Sequence, residues 1–492
     1  MFSHVTPEAV GISSAHLADY VRTLERARLA MHSVLMMRGN SLFAEYYWTP
    51  FDKDFCHRMY SQTKSYVSIA IGLLAEDGKL SLDDPIVSHF PDKIDGDLPA
   101  TLRAQTIRDM LLMETSQQCP HWFTAGDPDR THLYLNRGVN HRPSRTLWQY
   151  DSGGSQVLSS LVERLSGKSL FDFLTERIFS HLGTFQTATI LKTPNGDSWG
   201  DSALVCTPRD MLSFARLLMN GGMWEGKQLI PADYIKEATS PIVDNDEDGW
   251  PTALQHGYGY QIWCCEGGGF AFVGMGGQLT LCFPAQDLIF CCTADVQGDP
   301  RGYDAILRPF YDLVFYRMKD ASLPRDIAAE AELAEVTHGL TLLAAQGRAH
   351  VPFADELNGK IYLCEPNRQG ITRFSFTFTA DGGVFRYTNA QGDKELPFGL
   401  CRNELCKFPQ LGYSDGVGGV RTADGFKYNA AVSVAWREEK KLALRVQIID
   451  RYFGNMRAVF AFRDDAAVVD MRSCAEDFLG EYTGIFQATR QG

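Results

Sequence analysis

The chain has 492 residues, 45% hydrophobic and 22% charged, with a formal net charge of −13. That length exceeds what one core sustains, so two or three domains are expected. The acidic balance and the lack of any Lys/Arg run exclude a phosphate-tracking groove, and with it nucleic acid as a partner. No apolar run approaches the roughly 20 residues of a membrane helix. The opening MFSHVTPEAVGISSAHL lacks a basic n-region followed by an apolar stretch, so a cytoplasmic protein is expected. The twelve cysteines are scattered, two pairs are adjacent (Cys264-Cys265 and Cys291-Cys292), and there is no Cys-x-x-Cys. Reduced thiols are therefore expected, with no metal site and no cofactor.

In chain order, Ser14–Ala30 carries Leu17, Val21, Leu24 and Leu29 at helical spacing, with Ser14 as the cap. Ser33–Arg38 and Leu42–Tyr47 flank Gly39-Asn40 and predict a hairpin. Ser61–Glu76 is apolar on more than one face, which predicts a helix buried all round and stopped at Gly78. Residues 100 to 240 read as mainly helical, with helices at Thr106–Met113, at Gln156–Leu165 before Gly167, and from Thr207-Pro208 onward. Tyr258–Cys264, Gln278–Phe283 and Leu288–Thr293 then read as strands, before a last helix from about Tyr303 to Met318. Strands at both ends of a helical block predict one α/β sheet carrying an all-helical insertion.

Residues 320 to 347 are rich in Ala and Glu and predict a helical connector. Beyond Val351 the pattern is β. Phe374, Phe376 and Phe378 alternate with Ser375 and Thr377, and Asp381-Gly382-Gly383 turns into Val384–Thr388. Leu442–Ile448 and Met456–Phe462 alternate likewise, which predicts a small antiparallel barrel or sandwich. The predicted division is 1–320 for the α/β domain, 321–347 for the connector and 348–492 for the β domain.

Ser61-Gln62-Thr63-Lys64 sets a serine and a lysine three residues apart at the start of the buried helix, on one face. A serine hydroxyl is a poor nucleophile until a neighbour takes its proton. A lysine at the mouth of an apolar helix is desolvated, which favours its neutral, basic form. The helix N-terminus adds N–H groups for developing negative charge. The tetrapeptide also fits an N-cap serine followed by a solvated lysine, so context has to decide.

The context is the run from His57 to Ser65 and on through Ala75-Glu76-Asp77-Gly78-Lys79-Leu80-Ser81-Leu82-Asp83-Asp84-Pro85. It resembles the nucleophile region of the serine β-lactamase and penicillin-binding-protein superfamily, in its class C-like branch. Thr106–Met113 is similar to that family's T-I-R-x-L-L helix, and Cys206-Thr207-Pro208-Arg209-Asp210-Met211 to its T-P-x-D-L helix start. Tyr258-Gly259-Tyr260 precedes the returning sheet in the same order. The resemblance spans roughly residues 5 to 320. It implies a β-lactamase-like antiparallel sheet flanked by helices, with an all-helical subdomain.

The family's second motif, Tyr-x-Asn or Tyr-x-Ser, reads Tyr150-Asp151-Ser152 here. It implies Tyr150 as the proton shuttle, with a phenol expected to ionise more easily beside Lys64. Ser152 is expected to hydrogen-bond substrate or Lys64. Asp151-Ser152-Gly153-Gly154 also copies the tetrapeptide around the trypsin-like nucleophile, a reading rejected because this region is helical. The third motif, Lys-Thr-Gly or His-x-Gly in the family, aligns with Phe272-Val273-Gly274-Met275-Gly276-Gly277-Gln278. This puts Phe272 in the cation's place in the substrate site. Gly274 is expected to let the substrate backbone approach, and the Met275 N–H to be the second oxyanion donor beside that of Ser61.

Phe272 cannot pair with the carboxylate of a β-lactam, and a desolvated unpaired carboxylate is costly. The resemblance therefore implies an esterase, amidase or peptidase-type serine hydrolase. The alternatives are a β-lactamase, an acyltransferase using the same acyl-enzyme, and an inactive binding protein on the same scaffold. The partner expected is a small ester, amide or short peptide, with no membrane contact; a homo-oligomer is compatible with the sequence. His121, His132 and His141, with Trp122, Tyr134 and Trp148, are read as loop and pocket-wall residues. The C-terminal strands resemble the lipocalin-like appendage of some family members, from Leu357-Asn358-Gly359-Lys360-Ile361-Tyr362 through Ala435-Trp436 to Phe460-Ala461-Phe462.

Overall fold

The computed structural model describes residues 2–120, 126–246, 249–413, 417–418, 425–475 and 478–492. The chain forms two compact units. The larger comprises chiefly Met1–Val296 and Pro300–Thr341, the smaller chiefly Leu342–Asp415 and Val420–Gly492.

The larger unit is built on a seven-stranded sheet of β1 (Ser3–His4), β2 (Met31–Arg38), β3 (Ser41–Tyr47), β4 (Trp263–Cys265), β5 (Gly269–Gly274), β6 (Gln278–Phe283) and β7 (Leu288–Ala294). Their order is β1-β3-β2-β7-β6-β5-β4, antiparallel throughout except for the parallel β1–β3 pair. The central strands β2, β6 and β7 are mostly apolar and buried along nearly their whole length because both faces are covered. Along β7, Ile289 and Cys291 enter one core while Leu288, Phe290 and Cys292 enter the other.

The first core lies against α2 (Thr63–Glu76), α5 (Ser152–Ser166) and α6 (Pro208–Met219), and the second against α1 (Ser14–Ala27) and α7 (Asp304–Leu313). Burial of α2 on every side agrees with its all-round apolar sequence: Val67, Ile69, Ile71, Leu73 and Leu74 are all fully buried. The N-cap of α1 is Ser13 rather than Ser14, and Ser13 accepts from the Ala15 N–H. The short helix α3 (Ile107–Leu111) and α6 open with capping boxes, Thr106 with Asp109 and Thr207 with Asp210.

The predicted connector differs from a free-standing linker. Only Ile327–Thr337 is helical (α8), and its Leu333 joins the core cluster that holds α1. Arg22 of α1 reaches Glu332 at 2.5 Å, and the unit runs on to Thr341. Alanine-rich composition here marks a helix packed on the first domain.

The smaller unit holds β8 (Ile361–Cys364), β9 (Arg373–Phe378), β10 (Gly382–Asn389), β11 (Gly392–Leu400), β12 (Glu404–Leu411), β13 (Lys427–Glu438), β14 (Lys441–Ile449), β15 (Phe453–Arg463), β16 (Ala466–Ala475) and β17 (Gly484–Arg490). Nine of them close into a barrel in the order β11-β10-β9-β8-β17-β16-β15-β14-β13, sealed by parallel pairing of β11 with β13, and β12 flanks β13 outside that ring. Closure leaves no edge within the ring. The interior is filled with rings: Phe376 packs on Phe385 at 4.8 Å and on Phe460 at 4.9 Å between centroids.

Candidate active site

Ser61 sits on a single 3₁₀ turn, Tyr60–Gln62, that leads into α2. The turn is entered through Tyr60 at φ 48°, a left-handed conformation that a bulky residue adopts only when its surroundings enforce it. Those surroundings are visible. Met59 N–H donates to the Leu204 carbonyl at 2.7 Å, and the Tyr60 carbonyl accepts from Thr63 Oγ1 at 2.6 Å. The Arg58 guanidinium lies over the Tyr60 ring at 4.4 Å. Ser61 is left partly exposed at the end of a buried helix.

Lys64 is 1% exposed, and its Nζ donates to Ser61 Oγ at 2.8 Å and to the Asp201 carbonyl at 2.6 Å. The expected pair is therefore in hydrogen-bond contact, and Asp201 is a second anchor that sequence reasoning missed. Asp201 reaches Lys64 because Gly200 has no side chain: a Cβ there would stand 2.2 Å from Ser159 Oγ and 3.1 Å from Val67 Cγ2. The Asp201 carboxylate lies 3.7 Å from Arg130, and both are buried. Trp199 stacks between two guanidiniums, Arg58 at 4.2 Å and Arg130 at 4.5 Å. Arg58 also donates through its Nε to the Ser202 carbonyl at 3.0 Å.

Burial pushes the Tyr150 phenol well above the usual tyrosine range, with the neighbouring Ser61 hydroxyl acting weakly the other way. This corrects the expected easier ionisation. Lys64 Nζ faces the Tyr150 ring, 5.1 Å from its centroid, and desolvation of the hydroxyl is the dominant effect. Asp151 is the N-cap of α5, accepting from the Gly154 N–H at 2.9 Å, which accounts for the Asp-Ser-Gly-Gly sequence as helix capping. Ser152, the first residue of α5, is partly exposed.

A buried glutamine braces the helices that carry these groups. Gln261, at φ 57°, accepts from Ser65 of α2 at its carbonyl (2.8 Å) and from Ser155 of α5 at Oε1 (2.7 Å). Its Nε2 donates to the Met110 carbonyl of α3 at 2.7 Å. The sequence signal was the Tyr-Gly-Tyr preceding it, read only as a marker of the returning sheet.

The third motif ends β5. Phe272 is fully buried in the first core, with Phe214 at 5.6 Å and Phe270 at 5.9 Å between centroids. Apolar packing thus occupies this position. Gly274 serves a different approach from the one expected: a Cβ there would fall 2.1 Å from the Met59 carbonyl oxygen. The close neighbour is the chain's own backbone two residues before Ser61, so the missing side chain lets β5 close on the Ser61 turn. Met275 follows in the β5–β6 turn, and its N–H makes no hydrogen bond among the described residues.

An aromatic cluster stands beside Tyr150. Trp250 lies 5.4 Å from it and 4.5 Å from Trp263, while Trp148 packs on Trp263 at 5.6 Å. Of the two expected wall aromatics among the described residues, Trp148 joins this cluster and Tyr134 does not. Tyr134 is buried and lies 3.3 Å from Asp151. His132 is bracketed by Asp127 at 2.7 Å and Asp95 at 3.0 Å, which raise its pKa, so it serves a carboxylate network. His141 is exposed, and His121 and Trp122 lie outside the described residues. Among the described residues no cluster of metal-ligating side chains forms, no helix is long and apolar enough to cross a membrane, and all twelve cysteines are free thiols.

Comparison with known proteins agrees with this architecture. Over 301 residues the chain is 25% identical to the 6-aminohexanoate-dimer hydrolase of Paenarthrobacter ureafaciens, taking in 56% of this chain and 75% of that one. It is 22% identical over 344 residues to an uncharacterized protein of Alkalihalophilus pseudofirmus, 60% of this chain and 93% of the other. A solved structure from Bacillus anthracis, provisionally named a 6-aminohexanoate-dimer hydrolase, shares the fold at a TM-score of 0.51 and 19% identity, over 59% of this chain and 79% of that one. The Beta-lactamase family matches residues 18–308, which is more than half of the chain, and the protein belongs to that family.

Proposed function

We propose that the protein is a serine hydrolase that cleaves a small ester or amide through an acyl-enzyme on Ser61. The observation that carries this reading is the 2.8 Å contact between Lys64 Nζ and Ser61 Oγ, with Lys64 buried and fixed from its other side by the Asp201 carbonyl. In this reading Lys64, in its neutral form, takes the Ser61 proton as Oγ attacks the carbonyl carbon. The N–H groups of Ser61 and Met275 receive the oxyanion. Tyr150 stays a neutral phenol and relays the proton to the leaving alcohol or amine, so burial of its hydroxyl suits the role. Water then attacks the acyl carbon, its proton returns along the same path, and Ser61 is regenerated with release of the acid. Ser152, at the mouth of α5, is proposed to bind substrate.

The substrate class follows from what surrounds Ser61. In this reading Phe272, buried in the first core, replaces the family's carboxylate-binding cation, and the Trp250–Trp263–Tyr150 cluster gives the site an apolar side. The Paenarthrobacter relative, named for a 6-aminohexanoate dimer, supports an amide within this class. The test is a panel of p-nitrophenyl esters, D- and L-aminoacyl anilides, linear ω-amino-acid amides and nitrocefin, run on wild type and Ser61→Ala. Turnover of an ester or amide that is lost in Ser61→Ala is the expected result. Nitrocefin turned over faster than every ester and amide would overturn the substrate assignment, and undiminished turnover in Ser61→Ala would overturn the role of Ser61.

A further inference from the structure

We infer that Tyr303 is a positioning residue that holds the Met275 N–H in place as an oxyanion donor; this rests on the proposed role of Ser61. The β5–β6 turn is Met275-Gly276-Gly277, with Gly276 at φ 82° and Gly277 at φ 95°. Two consecutive glycines in the left-handed region give the turn little stiffness of its own. An N–H that must meet an oxyanion within a few tenths of an ångström therefore has to be fixed from outside the turn.

Tyr303 fixes the start of the turn. It lies just before α7, and its hydroxyl donates to the Gly274 carbonyl at 3.1 Å. One side chain from outside the turn thus anchors the residue immediately before Met275. The remaining carbonyls of the turn are also held: Gln278 Nε2 donates to Met275 O at 3.0 Å, and Val296 N–H to Gly276 O at 2.9 Å. With these carbonyls held, the Met275 N–H makes no hydrogen bond among the described residues and is open to an oxyanion. Gly274, pressed on the Met59 carbonyl, sets the same turn against the Ser61 segment.

Tyr303→Phe keeps the ring and removes only the hydroxyl. Loss of the clamp is expected to lower kcat by about 30-fold with KM unchanged, because the donor acts on the transition state. Affinity for phenylboronic acid, whose adduct on Ser61 Oγ is tetrahedral, is expected to weaken by the same factor. Gln278→Met, which frees the Met275 carbonyl in the same turn, is expected to show the same pattern. Wild-type kcat and boronate affinity in Tyr303→Phe would overturn the inference, as would a lowered Tm with boronate affinity intact. Failure of Ser61→Ala to abolish turnover is the separate result that would remove the underlying reading.

Discussion

Gly274→Ala puts the geometry of the site under the sharpest test. The new Cβ would stand 2.1 Å from the Met59 carbonyl oxygen and 3.0 Å from Gln278 Cβ. A carbon–oxygen contact relaxes only near 3.3 Å or beyond, so β5 and the Ser61 turn must part by about 1 Å. That motion carries the Met275 N–H away from Ser61 Oγ, and a misplacement of this size costs about 100-fold in rate. Overpacking should add a stability loss of about 1–3 kcal/mol, because Met59 is itself pinned by its bond to Leu204. Steady-state kinetics on the best ester should show kcat/KM down by about two orders of magnitude, with a lower urea midpoint. An active Gly274→Ala enzyme of wild-type stability would refute the claim that β5 closes directly on the Ser61 segment.

Other outcomes follow from neighbouring groups. Tyr150→Phe should lower kcat by about 100-fold or more with little change in KM. Because burial holds the Tyr150 phenol above its ordinary range, wild-type kcat/KM should show no alkaline fall from this group below pH 10; a fall near pH 8 that vanishes in Tyr150→Phe would contradict this. Burial brings the pKa of His57 down to about 3 and lowers that of His32, 5.4 Å away, so both take up protons on unfolding. For His57, stability should fall as pH drops from about 6.5 towards 3, by up to about 1.4 kcal/mol per pH unit. Urea unfolding of His57→Phe should show a flatter pH dependence over that window, and an identical slope would count against it. Trp250→Ala should raise KM for phenylacetate esters by about 10-fold and leave acetate esters little affected; an equal change for both would show that Trp250 does not touch the substrate.

The sequence carried the parts of the site that lie close together along the chain. Ser61 and Lys64 meet because i and i+3 share a helix face, and Tyr150 was implied by the family's second motif, Tyr150-Asp151-Ser152. The strap around Lys64 was illegible: Asp201 lies 137 residues away in sequence, and its carbonyl acts through the backbone, which leaves no residue-type signal. Gly274 was expected to admit the substrate backbone, and only the fold reveals the Met59 carbonyl as the group pressed against it. In the β unit, alternation located β9, β10, β14 and β15, whereas the parallel β11–β13 pairing that seals the barrel joins Gly399 to Ser433 and Leu400 to Val434, a partnership no local pattern encodes. Helix α8 was recognised by composition, yet its packing rests on Ala329, Leu333 and Val336, a narrow apolar edge in an otherwise bland helix.

The most direct test of the central claim is labelling with a fluorophosphonate probe, followed by intact-mass and peptide mapping. The account predicts one adduct per chain on the peptide holding Ser61, none in Ser61→Ala, and labelling slowed by about 100-fold or more in Lys64→Met. Modification at another residue, or equal labelling rates in wild type and Lys64→Met, would contradict it.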